Sequence, residues 1–179
     1  MIPVNTRTRM HATVISRRQT RVVIVEEATM NPPLDTPPLN TADVVIISDL
    51  AEARRVQDAI EQLLETSAAH THDVFSIKLA LEEALVNAIK HGNQLDRAKK
   101  VYISYRLHIN RFEVQITDEG PGFDPADVPD PTAIENLERP CGRGLLLMRH
   151  YMTEVTYHPP GNRLSMSKVR TAAAHRNGK

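Results

Sequence analysis

The apolar positions of this chain change period several times between residues 44 and 169, and each change marks an element. Residues 44–47, VVII, form an unbroken apolar run read as a strand, which Ser48-Asp49 ends while supplying a helix cap. From residue 50 to about 65, Leu50, Ala53, Val56, Ile60, Leu63 and Leu64 recur at helical spacing. The polar stretch TSAAHTHD reads as a loop, with Asp73 capping a second helix that runs to about residue 91. Ile77, Leu81, Ala84, Leu85 and Ala88 share one side of that helix, and Gly92 stands where a helix-ending glycine belongs. Strict alternation at Val101, Ile103, Tyr105 and Leu107, a turn near residues 108–111, and alternation at Phe112, Val114 and Ile116 predict a hairpin. A short apolar helix over residues 141–152 and a last hairpin, EVTYH and RLSMSKV around PPGN, complete the pattern.

Between these elements the pattern lapses in three places. Residues 1–41 begin basic, contain the apolar patch RVVIV (21–25), and end in NPPLDTPPLN, whose two Pro-Pro pairs favour an extended linker. RVVIV is either an extra strand on a sheet edge or part of a tail. After residue 124 a segment to about residue 139 carries prolines and acids without periodicity and reads as a long loop, and 171–179 read as a frayed tail. The expected organisation is therefore an N-terminal extension (1–41), one α/β domain (42–170) and a short tail, with no internal repeat.

Composition narrows the class. With 4% aromatics and no Trp, the core must be aliphatic. The 22 basic and 22 acidic side chains cancel, so no global field draws the protein to nucleic acid or an anionic membrane. One cysteine, Cys141, allows no internal disulfide, and neither a secretory signal nor a spanning segment is evident, which fits a cytoplasmic protein. His70 and His72 form an H-x-H without a Cys or acidic cluster at zinc spacing.

Three short motifs carry candidate chemistry. In LEEALVNAIKHG (81–92), Glu83 and Asn87 stand at i, i+4, which places an acid and an amide on one helix face within reach of a common ligand. Read alone, the pair also fits a solvated face. Glu82 is adjacent, but only Glu83 has the four-residue spacing to Asn87. In DEGPGF (118–123), Asp118, Gly120 and Gly122 follow an apolar strand. Glycines there let the backbone approach a flat ligand while the carboxylate accepts from an exocyclic amine, or they simply make a turn. Gly142, Arg143 and Gly144 open a helix, where freed backbone N–H groups suit a phosphate, or where glycines only loosen the helix start.

In this order, EALVNAIKHG, DEGPGF and GRGLLLM resemble the N, G1 and G2 boxes of the GHKL ATPase superfamily. The short form with HG after the N box is most similar to bacterial anti-sigma-factor serine kinases, over residues 42 to 170. The resemblance implies a two-layer α/β sandwich, a mixed and mostly antiparallel sheet with helices on one face, binding ATP and Mg²⁺. Asn87 would be the protein ligand to the metal, Glu83 the general base on a serine hydroxyl, and Asp118 the acceptor for the adenine amine, flanked by Gly120 and Gly122. Gly142 and Gly144 would meet the phosphates through a lid, with Arg143 adding charge. The implied partners are a sigma factor and an anti-sigma antagonist that is phosphorylated on serine, and a homodimer is common in the family. The alternatives are a non-catalytic, nucleotide-dependent binding regulator and a histidine-kinase-like ATP-binding module. The latter needs a helical hairpin that some forty proline-broken residues do not supply, and a gyrase- or MutL-like ATPase needs a further transducer domain.

Overall fold

The computed structural model describes residues 37–67, 69–127 and 143–170. RVVIV, Cys141, Gly142, most of the expected lid and the tail 171–179 lie outside them. The described chain runs β1 (Asn40–Ile47), α1 (Leu50–Thr66), α2 (Thr71–Val86), β2 (Lys100–Leu107), β3 (Arg111–Asp118), α3 (Arg143–Tyr151), β4 (Glu154–His158) and β5 (Arg163–Val169). None of its helices is long and apolar enough to cross a membrane.

The five strands form one sheet in the order β1-β2-β3-β5-β4. Every pairing is antiparallel, where a mixed sheet was expected. The reason lies in the connections. β2–β3 and β4–β5 are hairpins, while the β1–β2 crossover passes through two helices, out and back, and re-enters the sheet where it left, with Ile47 opposite Lys100. β1 is longer than VVII alone suggested, because pairing with β2 recruits residues 40–43.

One face of the sheet carries Val101, Ile103, Phe112, Val114, Ile116, Leu164 and Met166 into a core shared with the helices. α2 packs between α1 and α3. Helices on both flanks explain why its apolar residues extend beyond a single stripe. The opposite face is polar, and there Arg111 pairs with Glu113 at 2.8 Å and Glu154 at 2.6 Å.

Two helix ends differ from expectation. α1 is capped as foreseen, Asp49 accepting from the Ala51 N–H at 2.7 Å, although Leu50 is exposed. α2 starts at Thr71 after His70, which makes no side-chain capping bond. Asp73 is therefore a first-turn residue rather than the cap, and it is buried. At its other end α2 stops at Val86 and Asn87–Gly92 form a π turn. The Asn93 N–H closes it on Ala88 O, five residues back, at 2.8 Å.

Candidate functional site

Glu83, Asn87, Asp118, Gly122 and Gly144 line a single cavity of about 660 Å³. The last turn of α2 and the π turn make one wall. The loop after β3, the first turn of α3 and the β4–β5 hairpin close the others. Gly120 lies just outside the lining, against Gly92, and Arg143 is exposed at the start of α3, while Gly142 is outside the described residues.

The helical wall presents Glu83 and Asn87 one turn apart, both half-buried, above the small side chains of Ala84 and Ala88. Glu82 is exposed and does not reach the lining. The extra residue of the π turn carries the chain on so that His91 and Gly92 also face the cavity. Gly92 is not there to adopt a left-handed cap. Its Cα lies against the Asp118 carboxyl, and a Cβ would stand 2.6 Å from Asp118 Oδ2.

Asp118 is buried at the end of β3 and faces the helices because it continues the alternation of Phe112, Val114 and Ile116. Its Oδ1 accepts from the Gly120 N–H at 2.8 Å. Its backbone N–H donates to Asn162 O at 3.0 Å, and its C=O accepts from Asn162 Nδ2 at 2.9 Å. Burial pushes its carboxyl up from the ordinary range, opposed by the Gly120 N–H and the nearby Lys99 charge. Gly122 and Gly161 have φ of 79° and 101° and interlock the loop after β3 with the last hairpin. A Cβ on Gly122 would lie 2.7 Å from Pro160 C. Phe123 and Tyr157 pack edge to face across that seam, ring centres 4.8 Å apart.

On the opposite side, the first turn of α3 rests directly on the Glu83 side chain. A Cβ on Gly144 would overlap the carboxylate and lie 2.7 Å from Cγ. Tyr157, half-buried, lines the same cavity. Burial, then the Glu83 and Asp118 carboxylates, push its phenol up to about 12, so it keeps its proton at neutral pH.

A model of the histidine kinase-like ATPase domain family matches residues 46–168. The chain belongs to this family. The resemblance drawn from the three motifs is thereby borne out, and so is the two-layer α/β fold. The chain is 29% identical over 85 residues to the serine/threonine-protein kinase BtrW of Bordetella bronchiseptica (46% of this chain, 60% of that one). It is 38% identical over 87 residues to an anti-sigma F factor of Priestia megaterium (46% and 58%). It is also 30% identical over 115 residues to the serine-protein kinase RsbW of Staphylococcus aureus (59% and 72%). The matches to the first two thus span about 60% of those relatives. Among solved structures, that of the RsbU and RsbW domains of Rv1364c from Mycobacterium tuberculosis superposes with a TM-score of 0.53 at 16% identity, covering 76% of this chain and 34% of that one. This likeness concerns the fold.

In this ATPase-type domain the cavity is strongly acidic. Glu83, Asp118, Asp124 and Asp127 all line it, and no Lys or Arg does so among the described residues. An anion entering alone would meet four carboxylates, whereas one that brings a divalent cation would be welcomed. Among the described residues, no group of three or more His, Cys, Asp or Glu is arranged to hold a metal by itself. The sequence motifs did not reveal Asn93, Tyr157, Asn162, Asp124 or Asp127. The hairpin glycine Gly161 beside Asn162, and the motif DEGPGF directly before Asp124, were the available signals; Tyr157 and Asp127 line the cavity through tertiary packing, and Asn93 lies just outside the lining.

Proposed function

We propose that this protein is an ATP- and Mg²⁺-dependent protein-serine kinase that restrains a sigma factor and is counter-regulated by phosphorylating a serine of an anti-sigma antagonist. The observation that carries the reading is the convergence of Glu83, Asn87, Asp118, Gly122 and Gly144, drawn from three separate motifs, on one cavity of about 660 Å³. That volume falls within the range of roughly 300–1,000 Å³ in which small ligands are bound. The names of the relatives, two of them kinases and one an anti-sigma factor, support the same activity.

The bare backbones at Gly92 and Gly144 let the Asp118 and Glu83 carboxylates pack directly against them, and the acidic lining suits a triphosphate only when a cation accompanies it. Asn87 would hold Mg²⁺ through its amide oxygen, the phosphates supplying the remaining anionic ligands. Bound there, the metal would neutralise charge on the transferring phosphoryl group. Asp118 would accept from the adenine amine while its Oδ1 accepts from the Gly120 N–H. The α3 N-terminus, with Gly142, Arg143 and Gly144, would approach the phosphates. Glu83 would take the proton from the partner's serine hydroxyl as its oxygen bonds to the γ-phosphorus and the bond from that phosphorus to the bridging oxygen breaks, releasing ADP. Such work places the protein in the cytoplasm, and a homodimer would present two such sites.

Calorimetric titration of ATP with and without Mg²⁺, followed by phosphotransfer to candidate serine-bearing antagonists, tests the reading. Glu83→Ala is expected to abolish transfer while leaving ATP affinity nearly unchanged, because the base acts only in the reaction. ATP binding by the intact protein that ignores Mg²⁺ would overturn the metal-dependent reading of the site, and no binding at all would leave a nucleotide-independent interaction module.

A further inference from the structure

Asn93 is fully buried, yet no catalytic or binding role in the proposed reaction falls to it. It follows the π turn, and each of its polar groups is committed to a different segment. Its N–H donates to Ala88 O at 2.8 Å, within the π turn. Its Oδ1 accepts from the Glu119 N–H at 2.8 Å, one residue beyond Asp118, and its Nδ2 donates to Lys100 O at 2.9 Å, where β2 begins. One side chain thus ties the helix that bears Asn87 to the strand end that bears Asp118. The adjoining Gly92 lies against the Asp118 carboxyl, and a Cβ on Gly120 would meet the Gly92 carbonyl group. Residues 92–93 and 118–120 are therefore interleaved, with the Asn93 amide as the hydrogen-bonded joint. The chain leaves this joint through Gln94 and Leu95, at φ of 56° and 60°. Two consecutive non-glycine residues in the left-handed region persist only where the surroundings enforce them.

We infer that Asn93 is a positioning residue for base recognition. Its amide fixes the height of the Asp118 carboxylate relative to the Asn87 helix, and so sets how strongly the site distinguishes a purine bearing a 6-amino group from one lacking it. This inference rests on the proposed adenine contact of Asp118. A serine at this position is too short to span from the π turn to both Glu119 and Lys100. The strand end would then relax, and the carboxylate would drift from the place where the amine meets it.

The test compares ATP with purine riboside triphosphate, which lacks the amine, by calorimetry with Mg²⁺ in four proteins: wild type, Asn93→Ser, Asp118→Asn and the double variant. The wild type is expected to prefer ATP. Asn93→Ser should reduce that preference by about ten-fold, the scale of one hydrogen bond to a charged group, while the amine-free triphosphate still binds. In the Asp118→Asn background, Asn93→Ser should change the preference no further. Should the serine variant melt below the assay temperature, Asn93→Gln keeps both polar groups on a longer stem and is expected to lower the same ratio. An Asn93 variant that weakens both nucleotides equally, or that still alters the preference after Asp118 is replaced, overturns the positioning role while leaving the adenine contact standing. A wild type without preference for ATP overturns the adenine contact and the inference with it.

Discussion

The contact between Gly144 and Glu83 lets stability and activity be separated by a single methyl group. In Gly144→Ala the new Cβ would stand 2.7 Å from Glu83 Cγ and would overlap the carboxylate beyond it. Carbon atoms in ordinary contact are about 3.5–4.0 Å apart, so the Glu83 side chain must retreat by roughly 1 Å. The obstacle is the free end of a flexible, half-buried side chain rather than backbone, so it can swing aside. An off-rotamer torsion costs about 0.5–1.5 kcal/mol. Replacing glycine by alanine within α3 returns about 0.5–1 kcal/mol. The two nearly cancel, and the melting temperature should move by only a few degrees. Displacing a reacting group by about 1 Å costs on the order of 100-fold in rate, so phosphotransfer should fall by about that factor. An ATP titration separates this loss from any change in affinity, since the new methyl also stands where the α3 N-terminus would approach the phosphates. The assay is transfer of radiolabelled phosphate to the antagonist, run beside a thermal melt and an ATP titration. Full activity in the alanine variant would refute the claim that Glu83 works from the place where α3 now holds it.

Other outcomes follow from the same geometry. Asn87→Ala should abolish the Mg²⁺ dependence of ATP binding together with phosphotransfer. Metal-dependent binding that survives the change would exclude Asn87 as the ligand. Asp118→Asn should remove the preference for ATP over the amine-free triphosphate and raise the melting temperature at neutral pH. The folded-state value of Asp118 is raised by burial, so its ionised form costs stability above that value and nothing once the group is protonated in both states. The gain in the melting temperature should therefore fade as pH drops through the carboxylate range, and a gain that persists in acid would point to another cause. Tyr157 should titrate near pH 12, seen as tyrosinate absorbance in a chain with four Tyr and no Trp. The unfolded phenol ionises near about 10, so its contribution to stability is complete below that value and is lost as pH rises toward 12. Tyr157→Phe should remove both the late titration step and that part of the alkaline destabilisation; a variant with an unchanged alkaline profile would show that another group is responsible.

Periodicity alone located the two hairpins and α1, and the ordered motifs gave the family, because alternation, helical recurrence and glycine spacing are local properties of a chain. The same locality explains the places where the reading went astray. Asp73 resembles a cap by composition, but the helix begins at Thr71, two residues before it, and the carboxylate is buried in the first turn. Gly92 does end the helical run, where a helix-ending glycine belongs, but for a different reason. Its true constraint is the Asp118 carboxyl, 26 positions further along the chain. Sequence supplied the residue types of the candidate site: an acid and an amide one turn apart, a carboxylate at a strand end, and glycines before a helix. Only the tertiary structure decided that Gly144 touches Glu83, that Tyr157 shares a cavity with the Glu83 and Asp118 carboxylates, and that Asn93 joins the helix to the strand end. Each of these depends on contact between segments distant in sequence, and such contacts are set by how the sheet and helices share one core rather than by any local pattern.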